Sequence, residues 1–219
     1  MRTLFPPFLP EKSKKMAEIR LAAEGGFDLR VGDADKPPRS KGIHLSGVLR
    51  SIAIEGGYLK EDDEELDDLI ESTWTEQAGE DGRLVRVAIG LAWEDWLYRQ
   101  PAYSHVIYHP GEVYKDGIAG SPDGIGMKGE KVWLEECKST YKSMRRPVEE
   151  AWLWLEQCRG YCVMLGFTEA VLRVLYMRGD YRKMGPAIFR SYEVTFEEEE
   201  LKRSWDRILL YKDRAKVEA

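Results

Sequence analysis

The chain has 219 residues, of which 43% are hydrophobic and 33% charged, and a formal net charge of −6. That length suits one domain, or one domain with an extension, and the apolar share is enough for a real core. No apolar run approaches the ~18 residues that a membrane helix needs, and the prolines in the opening MRTLFPPFLPEK interrupt what would be the apolar segment of a signal peptide, so no membrane partner and a cytoplasmic location are expected.

The acidic charge is concentrated. Residues 61–71 alone hold eight acids, leaving 33 basic against 31 acidic residues elsewhere, so local positive patches and a nucleic-acid partner stay open. The cysteines Cys137, Cys158 and Cys162 form no Cys-x-x-Cys pair and read as reduced core thiols. With three histidines and no paired Cys/His spacing, a structural zinc site is not expected.

In chain order, residues 1–42 are rich in proline, lysine and glycine and read as an irregular arm, with one short helix around Lys15 to Ala23. The remainder, 43–219, reads as a single domain. A helix opens at His44-Leu45-Ser46 with Ser46 as its cap and Leu49, Ile52 and Ala53 inward. His44 could meet a phosphate there or be structural. Asp62 to Gln77 has Leu66, Leu69, Ile70 and Trp74 at helical spacing, with acids on the solvated face. Arg83 to Arg99 is a second, largely apolar helix carrying Glu94 one turn after Gly90. A carboxylate on so apolar a helix must be exposed, paired or bound to metal, because burial without a partner is costly. Asp95 is its rival.

Tyr103 to Ile118 alternates as strands around His105, Ile107 and Tyr108, turns at His109-Pro110-Gly111, and resumes through Val113 and Ile118. His105 and His109 are candidate ligands by residue type, although a sheet edge and a turn argue against catalysis. Then comes GSPDGIGMKGEKVWLEECKSTYK, residues 120–142. Gly124, Gly126 and Gly129 read as a turn, and Lys131 to Leu134 as a strand ending in Glu136-Cys137-Lys138. A hairpin of this kind brings Asp123 close to Glu136, and strand alternation puts Glu136 and Lys138 on one face. Two hard carboxylates suit Mg²⁺ or Mn²⁺, and the ammonium can hold a water or a phosphate oxygen. The alternative is a surface turn and a strand with a salt-bridged end.

The basic run Lys138, Lys142, Arg145 and Arg146 that follows suits phosphate positioning or a solvated loop. Pro147 starts a helix to Leu165, apolar nearly all round, with Glu149 and Glu150 in its first turn and Gln157 and Tyr161 on one face. Ala170 to Met177 and Ala187 to Val194 read as strands joined by a basic turn, Arg178 to Lys183, and an amphipathic helix with Leu201, Trp205 and Ile208 closes the chain.

Gly90/Glu94, Pro122-Asp123, Glu136-Cys137-Lys138 and Gln157/Tyr161 together resemble the motifs of the PD-(D/E)xK nuclease superfamily, in its RecB-type and lambda-exonuclease-like branch, over about residues 84–178. The resemblance implies an α/β restriction-endonuclease-like core, a central mixed β-sheet flanked by helices. It implies a metal-dependent DNA nuclease, an exonuclease or flap-type trimming enzyme of DNA processing, repair or recombination. In this reading Glu94, Asp123 and Glu136 converge on Mg²⁺ or Mn²⁺, with the Cys137 carbonyl as a further ligand. Lys138 orients or deprotonates the attacking water, and Gln157 and Tyr161 complete the catalytic set. Lys142, Arg145, Arg146 and Arg159 face the DNA, and a second copy or a repair or recombination protein is an expected partner. Some relatives carry an iron–sulfur cluster on four cysteines; this chain lacks any cysteine before Cys137 or after Cys162, so none is expected. The alternatives are an inactive nuclease-fold subunit that binds nucleic acid, a sequence-specific endonuclease, or an α/β interaction module.

Overall fold

A run such as Val171-Leu172-Arg173-Val174-Leu175-Tyr176 has almost no polar face to turn to water, which suits a strand covered on both sides. In the computed structural model, which describes residues 18–26, 40–57, 80–140, 143–177 and 187–212, it lies inside the sheet. The elements, in chain order, are β1 (Glu18–Gly26), α1 (Leu45–Glu55), α2 (Glu80–Tyr98), β2 (Val106–Tyr108), β3 (Val113–Lys115), β4 (Ile118–Gly120), β5 (Gly124–Lys128) and β6 (Lys131–Thr140), then α3 (Trp152–Leu165), β7 (Glu169–Tyr176), β8 (Ile188–Thr195) and α4 (Glu198–Tyr211). Six strands form one sheet in the order β1-β8-β7-β6-β5-β2, and β3 with β4 forms a separate ribbon. β6 and β7 pair in parallel across the α3 crossover, while their neighbours pair antiparallel, so the sheet is mixed. Helix, hairpin, strand, helix, strand runs from α2 to β7, and the central mixed sheet is flanked by helices as expected.

Strand alternation gives the sheet two different faces. Leu134, Leu172, Val174 and Tyr192 pack under α1, α3 and α4 in the main core. On the other face Trp93 and Leu97 of α2 pack on Cys137 and Leu175. The β3–β4 ribbon turns at Asp116-Gly117, both with positive φ, and the Asp116 carboxylate accepts the Trp205 indole N–H at 2.8 Å, which ties the ribbon to α4. Among the described residues no helix is long and apolar enough to cross a membrane.

Several local expectations change. Glu18–Gly26 is not helical but pairs along β8, so part of the expected irregular arm supplies an edge strand of the sheet. His44, not Ser46, is the N-cap of α1, without a side-chain cap bond. The strand expected through Val113 and Ile118 is split by the tight turn at Asp116. Gly124 and Gly126 sit inside β5 rather than in a turn; a Cβ on Gly126 would lie 2.1 Å from the Trp133 ring, so the glycine is there to let the indole cross the strand. The turn itself falls at Gly129, with φ 63°. Pro147 caps a 3₁₀ turn, Val148–Glu150, and α3 begins at Trp152, so Glu149 and Glu150 precede the α-helix. Gly166 ends α3 in the left-handed conformation, as expected of a C-cap glycine. The helix expected at 62–77 and the basic turn at 178–183 lie outside the described residues.

Candidate active site

β5 pairs with β6 as far as Gly124 opposite Glu135 and then leaves it, while β6 runs on to Thr140 against β7 alone. This parting of two strands leaves one edge of β6 bare at Cys137. Asp123, the residue before β5, fills the gap: the Cys137 N–H donates to its Oδ2 at 2.8 Å. A strand residue presents its N–H and C=O to the same edge, so the Cys137 carbonyl also opens on this fork.

One residue on either side of Cys137, the strand turns Glu136 and Lys138 to the α3 face. The Lys138 ammonium donates to Glu136 Oε1 at 2.6 Å, with Glu136 buried and the Lys138 side chain 19% exposed. Burial on its own would favour neutral lysine; Glu136, and after it Asp123, outweigh that and hold the Lys138 pKa above its ordinary value. Tyr161 of α3 reaches the same place. Its ring packs so closely on Gly120 that a Cβ there would lie 2.7 Å from Cε1, and its hydroxyl accepts a hydrogen bond from Gln157 Nε2 at 3.3 Å. Burial raises the Tyr161 pKa, and the Glu136 and Asp123 charges add to it while Gln157 and Lys138 oppose them.

Glu94 comes from the opposite side. Gly90 lets α2 approach β6 closely, since a Cβ there would meet Ser139 Oγ at 3.1 Å. One turn on, Glu94 lies within electrostatic reach of Cys137 and Tyr108. After burial it is the largest influence raising the pKa of each, and Asp123 acts on both as well. The fork thus has Asp123 at the edge, Glu136 and Lys138 on one face and Glu94 on the other. Among the described residues, no three histidine, cysteine or acidic side chains are gathered closely enough to hold a metal ion as they stand, so the expected convergence of Glu94, Asp123 and Glu136 on one point is not present. The chemistry of the donors does fit a hard divalent cation: carboxylate oxygens of Asp123 and Glu136 flanking a backbone carbonyl at an open strand edge.

The other candidates separate by their partners. Asp95 is engaged by Arg99 one turn on, Nε to Oδ1 at 2.9 Å, and of the two acids Glu94 acts more strongly on Tyr108. His44 is buried, with Nε2 at 2.8 Å from the Ser40 carbonyl and Nδ1 at 4.0 Å from Glu112, a structural setting. His105 packs against Trp133, with ring centroids 5.6 Å apart, and its carbonyl accepts the Met127 N–H. That places it four residues along β5 from Asp123, about 13 Å at the usual strand rise. His109 is directly beside Asp123, donating its N–H to the Asp123 carbonyl at 2.9 Å, in a left-handed conformation with its ring 3.8 Å from that of Tyr108. Arg145 and Arg146 are exposed on the loop after β6, Arg146 with Glu150 at 3.6 Å, and Lys142 lies outside the described residues.

Arg159 must be removed from the nucleic-acid set. Its guanidinium is buried, donates to Glu200 at 2.8 Å and lies over the Phe196 ring, so it is committed to joining α3 to α4.

A polar cluster on the α2 face has no counterpart in the motifs. Glu135, fully buried, accepts Arg173 Nη2 at 2.8 Å and Trp133 Nε1 at 2.7 Å on Oε1, and Arg173 Nε at 2.5 Å and the Tyr98 hydroxyl at 3.4 Å on Oε2. Arg173 continues to Ser191 Oγ at 2.8 Å, so the cluster bolts β6, β7, β8 and α2 together. The signal was in the sequence: one acid and one arginine, each in the middle of an apolar strand, must pair if both are buried.

No protein-family model matches the chain, and no curated protein does. Among solved structures the chain is similar to SSO0001, at 13% identity and a TM-score of 0.42 over 83% of this chain and 81% of that one. It is also similar to a phage-related exonuclease from Haemophilus somnus 129PT, at 11% identity and a TM-score of 0.38 over 77% of this chain and 79% of the other. At these values neither likeness bears on what the fork does.

Proposed function

We propose that the chain is a metal-dependent deoxyribonuclease, working as an exonuclease in DNA processing, repair or recombination. The observation that carries the reading is the fork itself, where β5 parts from β6, Asp123 meets the Cys137 N–H at the open edge, and Glu136 with Lys138 flanks it on one face. Asp123, Glu136 and the Cys137 carbonyl would hold Mg²⁺ or Mn²⁺, with Glu94 joining from the α2 side. A bound cation of this kind supplies an acidified water and offsets the charge on a phosphodiester. The chain's own contribution is positioning. The Cys137 N–H sets the direction of the Asp123 carboxylate. Glu136 holds the Lys138 ammonium where it can donate to the attacking water or to a phosphate oxygen and stabilise charge that grows during in-line displacement. Gln157 orients the Tyr161 hydroxyl on the same side, and both can hydrogen-bond a phosphate or a water. Arg145 and Arg146 lie on the loop that leaves the fork and would take up the DNA backbone.

The contact between Lys138 and Glu136 favours one competing reading, a nuclease fold that binds nucleic acid through its cations but does not cut. Incubation with end-labelled single- and double-stranded DNA separates the two. Cleavage with Mg²⁺ or Mn²⁺ that EDTA abolishes is the expected result. Binding without cleavage under every metal condition selects the inactive subunit.

A further inference from the structure

α2 meets the sheet through Trp93 and Leu97, with the Trp93 ring 6.2 Å from that of Phe189, packing that sets the coarse orientation of the helix and that polar contacts can refine. Glu94 follows Trp93 on the same helix, so where its carboxylate points depends on how α2 is turned on the sheet. Tyr98 stands four residues later, on the same face as Glu94. It is buried, and its hydroxyl lies 3.4 Å from Glu135 Oε2 and 3.2 Å from Cys137 Sγ, two consecutive positions on the same face of β6. Both anchors are on the strand that carries Glu136, and Glu135 is itself fixed by Arg173 and Trp133. The Tyr98 ring lies 4.8 Å from that of Tyr108 and edge-on to Tyr103 at 6.2 Å, which adds two directional ring contacts. Of the charges that act on Tyr108, Glu94 is the strongest, so the ring that Tyr98 packs against lies within electrostatic reach of Glu94.

We infer that Tyr98 is a positioning residue that sets the rotation of α2 and so delivers the Glu94 carboxylate to the fork. The inference rests on the nuclease reading for the role of Glu94, and it assigns Tyr98 no contact with substrate. The polar cluster behind β6 then has a second consequence. Glu135 and Arg173 keep the anchor for Tyr98 in place on one face of the strand, while Glu136 and Lys138 meet the substrate from the other.

Tyr98→Phe keeps the ring and its packing and removes only the hydroxyl, so the variant folds; a bond as long as 3.4 Å contributes little to stability. The test is Mn²⁺ titration calorimetry on wild type, Tyr98→Phe, Glu94→Gln and the double variant, with a thermal melt of each. Loss of a partner that orients a metal ligand weakens affinity by about 10-fold or more, and that is the fall expected in Tyr98→Phe, with its melting temperature close to wild type. In the Glu94→Gln background the same change should leave Mn²⁺ affinity within about two-fold, because the group it orients is gone. Equal weakening in both backgrounds, or wild-type affinity in Tyr98→Phe, overturns the assignment and leaves the nuclease reading standing. Absence of Mn²⁺ binding by the wild-type chain overturns both.

Discussion

Glu135 and Glu136 are neighbours on one strand and equally buried, at 0% and 1% exposed, yet the strand sends them into opposite worlds. Glu135 faces α2 and is surrounded by donors from Arg173, Trp133 and Tyr98. Glu136 faces α3 beside Lys138, at the point where β5 leaves and the edge of β6 opens. The first arrangement is closed: its charge is matched inside the protein and can do nothing but hold strands together. The second is open at one side, with Asp123 across the gap and a cation alongside. Burial of a carboxylate is therefore no guide to function until its partners are counted.

The largest effect should come from breaking the closed side. Glu135→Ala leaves Arg173 buried without its carboxylate, and removing one partner of a buried pair costs about 3–5 kcal/mol. Urea denaturation should show that loss, whereas Glu135→Leu with Arg173→Met should recover most of it, since a well-packed apolar pair often replaces a buried ion pair without loss. A double variant as unstable as the single one would show that the cluster does more than balance charge.

On the open side the effect should appear in catalysis. Lys138→Ala removes a cation but no carboxylate, so Mn²⁺ binding should persist while cleavage falls by about 10²-fold or more, the usual loss for a positioned electrostatic group. Cleavage assays beside calorimetry check this, and near-wild-type cleavage would take Lys138 out of the mechanism.

A smaller effect sharpens the link between the glycine in β5 and the closed cluster. Gly126→Ala would drive a methyl into the Trp133 ring and pull the indole N–H off Glu135. Overpacking of this kind costs about 1–3 kcal/mol, read as a lower denaturation midpoint.

The smallest concerns a third carboxylate, Glu112. The Tyr114 hydroxyl at 2.6 Å, and then Ser40, hold its pKa down to about 2 from 4.5. A depressed folded-state pKa means a contribution present above the unfolded value of 4.5 and lost as pH falls toward 2. Glu112→Gln should therefore lower stability slightly at neutral pH and not at pH 2, in melts taken across that range.

How far the sequence reached can be judged residue by residue. The α2 helix, β6 and β7 were legible because their apolar patterns are long and their length decides between helix and strand. Asp123 meets the Cys137 N–H and Lys138 meets Glu136, contacts that follow from a hairpin and a period of two. Gly124 and Gly126 misled because the same residue that opens a turn also permits close approach inside a strand, and only the Trp133 ring distinguishes the two uses. β1 was hidden because a glycine-bearing edge strand takes its register from β8, far along the chain. Arg159 looked available for DNA because its partner Glu200 is 41 residues away. Glu135 and Arg173 each stand out locally as a charge inside an apolar strand, but they are 38 residues apart, so the pattern marks both without joining them. Long-range pairing is the common reason for β1, Arg159 and the Glu135–Arg173 pair.

The central claim is that Glu136, and not its buried neighbour, is the carboxylate that meets the chemistry. Mn²⁺ titration calorimetry of wild type and Glu136→Gln tests it most directly, because glutamine keeps the size of the side chain and removes its charge. The wild-type chain should bind Mn²⁺ measurably and the variant with an affinity lower by about 10-fold or more, at a temperature where melts show both proteins folded. Equal affinity in the two proteins, or no binding in either, would contradict it.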